Sequence, residues 1–185
     1  MKTKRKLAVC AGGLLLAVYW FLTVEITGAS PANFLIIRDL TQSANISLVP
    51  FRDLADVLGT GDRANILRQI GGNVLLFAPM GFLVPAFWPG WRKCIRTVGL
   101  GLAMSLFIET CQLFTWRAST TDDLILNTLG AACGWLCYRL AAYVLPALRE
   151  RAKRPEWTPV LVMLSVWAAY TLWECWLIGA RWVGC

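Results

Sequence analysis

The chain contains no histidine. That absence removes Ser-His and Cys-His nucleophilic chemistry and every histidine-ligated metal site. Charge is scarce too: 16% of residues are Asp, Glu, Lys or Arg, against about a quarter in an ordinary soluble domain. No internal repeat or low-complexity tract stands out, and 185 residues leave no room for a large soluble domain beside a helical bundle. A net charge of +7 would suit a nucleic-acid binder, but no soluble domain is present to carry a basic face, so no nucleic-acid partner is expected. The seven cysteines are an odd number; most lie in apolar stretches, and Cys94 lies in a basic turn. Cys133 and Cys137 share a helix face without carboxylate or imidazole company. They read as small buried apolar groups, and neither a zinc site nor a disulfide framework is expected. No metal or cofactor is expected.

Apolar residues are what the chain has in abundance: 57% of the total, with mean hydropathy +0.56. A spanning helix needs about 20 mostly apolar residues. Segments near 7–27, 70–89, 97–115, 122–145 and 159–179 qualify, so the expected fold is all-α, a polytopic transmembrane bundle of five spans forming one domain over residues 1–185. Lys2, Lys4, Arg5 and Lys6 precede the first segment as in a signal peptide. Its apolar run is too long for an h-region, and no small-x-small site interrupts it before Glu25, so a retained span is expected. Basic residues cluster at the N-terminus, at Arg92, Lys93 and Arg96, and from Arg149 to Arg154, three segments that alternate correctly to share one side. The N-terminus is therefore expected in the cytoplasm and the C-terminus outside. Trp88, Trp91, Trp116, Trp157 and Trp182 fall at span ends, as interfacial aromatics do, and Arg139 is placed to snorkel.

Residues 28–69 form the external loop. Within it, Pro50 suits a first helical turn, and Leu54, Val57 and Leu58 then fall on one face of a short amphipathic helix ended by "GTGDR". Pro79 and Pro85 interrupt the second span, a feature tolerated inside a bundle.

One stretch breaks the apolar pattern: "FIETCQLFTWRASTTDDLILNTLG", residues 107–130. Glu109 falls roughly 10 Å below the turn between the third and fourth spans. Gln112 shares its face. Thr120 is placed to N-cap the fourth span, with Asp123 at the capping-box distance. Asp123 and Asn127 share a face one turn apart. Asp122 at the helix start is also explained by the macrodipole alone. A carboxylate in hydrocarbon needs a partner, and Arg117 is the nearest cation. Asn73 near the outer end of the second span, and Arg52 from the loop, can join the layer. Gly130 and Gly134 form a small-xxx-small pair for close packing. Glu25 and Glu174, near the outer ends of the first and fifth spans, read as interfacial.

Three blocks carry a family resemblance: "SLVPF" at 47–51, "NVLLFAPMGFLVP" at 73–85, and "ETCQ" at 109–112 followed by Arg117 and "DDLILNTLG" at 122–130. In order and spacing they resemble the VanZ-like family, named for an association with teicoplanin resistance. The family often has an acidic residue where Thr120 stands. The resemblance implies a multi-pass protein of the bacterial cytoplasmic membrane, in some members linked to reduced susceptibility to lipid-bearing glycopeptides. Three functions fit the residues. The polar layer binds the head group of a membrane lipid or lipophilic small molecule, through Glu109, Gln112, Arg117, Asp122, Asp123, Asn127, Asn73 and Arg52. Or Glu109 or Asp123 serves as general base of an intramembrane hydrolase or transferase acting on a lipid-linked substrate. Or the layer only fixes helix register.

Overall fold

The structure, a computed structural model, describes residues 2–30, 46–113, 119–148 and 156–183. Five of its helices are long and apolar enough to cross a membrane, at Lys6–Thr27, Arg63–Phe87, Cys94–Gln112, Thr121–Val144 and Thr158–Gly179. The all-α polytopic bundle expected from hydropathy is the architecture observed.

Helix α1 (Lys2–Thr27) ends where Gly28 enters the left-handed region at φ 60°. Gly28 N–H then donates to Glu25 O, and Ala29 N–H to Val24 O, closing the last carbonyls as glycine after a helix commonly does. A short helix α2 (Arg52–Gly59) follows in the loop. Asp62 caps α3 (Arg63–Ile66) by accepting from Ala64 N–H, and α3 passes through a wider π-type turn at Leu67–Gly71 into α4 (Gly72–Phe87). The second span thus begins at Arg63, seven residues before the expected 70. Helix α5 is Cys94–Gln112, α6 is Thr121–Val144 and α7 is Thr158–Val183.

Packing centres on α4 and α6, which share the most extensive contact, with α5 against α6 and α1 between α4 and α7. Small residues set the α4–α6 approach. A Cβ on Gly130 would stand 2.4 Å from Val74 O, and one on Gly134 2.0 Å from Ala78 O, so only glycine fits. Leu16, Trp20, Phe77, Met80, Val84 and Ile108 fill the core behind them. Leu14, Leu75, Leu140 and Leu172 are exposed on the outer faces, as lipid-facing positions are.

Contacts define two ends. Gly12 packs on Phe87, and Trp91 Nε1–H donates to Glu156 O at 2.7 Å, so the start of α1, the α4–α5 turn and the start of α7 share one end. At the other, Gln112 Nε2–H donates to Thr27 O at 3.0 Å. At the first end, Pro89 has no N–H to offer Pro85 O, and Arg92 Nε–H fills that place at 3.1 Å.

Three local expectations are corrected. Pro50 does not enter the first turn of α2: the helix starts at Arg52, with Phe51 as its cap. Trp88 and Trp91 are not interfacial but buried, because the tight turn Pro89–Trp91 folds back beneath the bundle; Trp157 is exposed. Trp116 and the Trp182 side chain lie outside the described residues. Of the cysteines described, Cys111 alone is buried and Cys175 is half-buried; Cys10, Cys94, Cys133 and Cys137 are exposed, since small apolar side chains also suit a lipid-facing surface. All six are free thiols. Arg139 stands over the Trp135 ring, 5.7 Å from its centroid.

Candidate functional site

The polar residues gather at the end of the bundle opposite the basic turns. Glu109 is on the inner face of α5 and is 6% exposed. Its Oε2 accepts from Thr120 N–H at 3.2 Å. Thr120 caps α6 as expected, its Oγ1 accepting from Asp123 N–H at 3.1 Å. The capping box is only half made, however. The Thr120 N–H that Asp123 would accept in such a box is bound by Glu109 instead. Asp123 turns to α4, where Asn73 Nδ2–H donates to its Oδ1. One turn deeper, Asn127 Nδ2–H donates to Ser105 Oγ at 3.0 Å.

Asp122, 3% exposed, has a partner that the sequence does not announce. Its carboxylate accepts from Phe51 N–H and, at 2.8 Å, from Leu54 N–H. Those are the cap and third-residue donors of α2, the pair that a capping box satisfies with two local side chains. Here one carboxylate from another helix takes both. Asp122 does stand in the first turn of α6, as the macrodipole reading required, but its side chain serves α2. The loop is also stitched on by backbone pairing. Ile46–Ser47 (β1) runs parallel to Ser119–Thr120 (β2), and Thr121 Oγ1–H donates to Ser47 O at 3.2 Å.

The clamp holds Phe51 at φ 65° and ψ 6°, the one non-glycine residue at positive φ among those described. A left-handed conformation costs an L-residue about 1–2 kcal/mol. Phe51 is 58% exposed, and Leu48 and Val49 beside it are exposed as well.

Glu109, Asn73, Asp122 and Asp123 are thus brought together around Thr120 and the start of α2, with Asn127 a turn below. Gln112 faces the same interior but ties down the end of α1 at Thr27 O. Arg52 stands exposed at the first turn of α2, and its guanidinium makes no ion pair among the described residues, so it does not join the layer. Arg117 lies outside the described residues. Glu25 and Glu174 lie elsewhere, between α1 and α7, both against the Tyr170 hydroxyl. Among the described residues no three metal-ligating side chains converge. Sequence reasoning missed Ser105 and the backbone of Phe51 and Leu54. Ser105 carried a signal, being one turn before Glu109 on the same face. Backbone donors carry none.

A helical bundle with five membrane-length spans, a buried polar layer at one end and a short loop helix tied to that layer defines a multi-pass membrane protein. A family model for VanZ/LLP1 proteins matches residues 11–142, and the chain belongs to that family. No curated protein and no solved structure matches it.

Proposed function

We propose that the protein binds an envelope lipid or lipophilic small molecule at its polar-layer end, on the outer face of the membrane. The ligand's apolar part lies across Leu48, Val49 and Phe51. Its polar group meets the layer of Glu109, Asn73, Asp122, Asp123 and Asn127, with Gln112 on the same interior side and Arg117 the cation that the sequence offers as their partner. The observation that carries this reading is Phe51. A strained, exposed aromatic held by a buried carboxylate from another helix opposes stability and solubility alike, and such strain concentrates at ligand clamps and other functional sites. The resemblance to VanZ-like proteins makes teicoplanin, with its acyl chain, one ligand to try.

The test is binding of teicoplanin and of phosphatidylglycerol to the full chain in lipid nanodiscs, with the glycopeptide core lacking its acyl chain as control. The wild type is expected to take at least one acylated probe and not the bare core. Phe51→Gly relieves the backbone and removes the ring, so affinity should fall about tenfold while the protein stays folded, the ratio expected for one lost aromatic contact. Full affinity in Phe51→Gly and in Glu109→Gln, both expressed normally, overturns the proposal.

A purely structural reading has its own observation: Asp122, Asp123 and Asn127 all find partners within the bundle. It differs in outcome, since it predicts that Glu109→Gln alters stability and leaves binding untouched.

A further inference from the structure

A second feature lies away from the polar layer, where α1 meets α7. The two helices run in the same direction, both from the basic end toward the polar-layer end, and pack against each other. Between them is an apolar groove of about 410 Å³, lined by Ala17, Val18 and Phe21 from α1 and by Ala169, Tyr170 and Trp173 from α7. That volume lies within the range of about 300–1,000 Å³ typical of small-molecule sites. Val18, Phe21 and Trp173 are each about half exposed, so the groove opens sideways toward the surrounding lipid. Phe21 and Tyr170, both in its lining, meet edge to face across the two helices, 5.6 Å between centroids.

Two acids stand beside the groove at Tyr170, outside its lining. Tyr170 O–H donates to Glu25 Oε2, and Glu174, one turn along α7, lies against the same hydroxyl. One Glu174 oxygen is buried without a hydrogen-bond partner, and neither carboxylate has an ion pair among the described residues. Two carboxylates sharing one phenol have more acceptors than donors between them. A cationic donor would supply the hydrogen bonds that the phenol cannot. In a chain of net charge +7, this is an acidic spot beside an apolar slot.

We infer that the α1–α7 groove binds a membrane amphiphile with a cationic head, its alkyl chain in the groove and its ammonium group between Glu25 and Glu174. The occupant follows from charge complementarity: an anionic head would meet two carboxylates, and a neutral one would leave them uncompensated. The site goes beyond the polar-layer reading. It is built with α7, which starts at Thr158, beyond the family match that ends at residue 142.

The experiment uses the full chain in phosphatidylcholine vesicles and three spin-labelled probes of one chain length: a primary alkylammonium, an alkyl alcohol and an alkyl sulfate. The protein-immobilised fraction of each is measured. The alkylammonium should associate about fivefold more strongly than the alcohol, as a partly screened ion pair gives, with the sulfate weakest. Glu25→Gln with Glu174→Gln should bring the ratio to about one while the isosteric amides keep the fold. Ala169→Trp fills the groove without touching either acid, and should also abolish the preference. Asp56→Asn, which removes an exposed acid at the same end of the bundle, should retain it. Equal association of ammonium and alcohol in the wild type overturns the inference, as does a preference that survives in the double glutamine variant or in Ala169→Trp.

Discussion

At the scale of single residues, Asp122 shows how far a side chain's task can lie from its sequence neighbours. Placed at the start of α6, it is legible as an acid at a helix N-terminus. Its two acceptors in fact serve a helix about seventy residues earlier, through Phe51 and Leu54 N–H. No periodicity reports that, because backbone donors are the same in every residue. Asp122→Ala would strand both donors, and loss of a cap costs about 0.5–2 kcal/mol. Amide exchange at Phe51 and Leu54 should quicken accordingly, and Asp122→Asn, which keeps one acceptor, should show a smaller change. Unchanged exchange in Asp122→Ala would refute the clamp. Glu109 was legible from the sequence as a deep carboxylate, since hydropathy fixes depth. Its hold on Thr120 N–H was not, because the expected capping box gave that donor to Asp123.

Among the elements, the α4–α6 contact is where sequence and structure agree most closely. Gly130 and Gly134 announced a close approach, and the structure places carbonyls of α4 against both. Gly134→Ala would put a methyl 2.0 Å from Ala78 O, so the helices must separate. Overpacking of this kind costs about 1–3 kcal/mol, read as a lower thermal midpoint in detergent. Gly99 on α5 has nothing within 4 Å of its would-be Cβ, and Gly99→Ala should instead stabilise by about 0.5–1 kcal/mol. If both substitutions shift the midpoint alike, packing does not govern this interface. Helix boundaries were legible to within a few residues because apolar runs in a bilayer must be helical. The exception is the second span, extended to Arg63 by the Asp62 cap and the π-type turn. The pairing of β1 with β2 was not foreseen, since two residues per strand leave no alternation to detect.

For the whole molecule, the bundle has one basic end and one polar-layer end, and the expected orientation puts the basic end in the cytoplasm. In single-cysteine variants, a membrane-impermeant thiol reagent should reach Leu48→Cys on intact cells and Cys94 only after permeabilisation. The reverse pattern would invert the topology and move the proposed site to the inner face. The division of labour in the fold then becomes physical: α4, α5 and α6 hold the polar layer, the layer holds the loop, and the loop presents Phe51. The most direct test is a photo-crosslinking map, using teicoplanin or phosphatidylglycerol with a diazirine in its acyl chain and the full chain in nanodiscs. Labelling should concentrate on Leu48, Val49 and Phe51 and be lost in Asp122→Ala, which frees the loop. Labelling spread along the outer faces of the spans, and indifferent to Asp122→Ala, would contradict the proposed site.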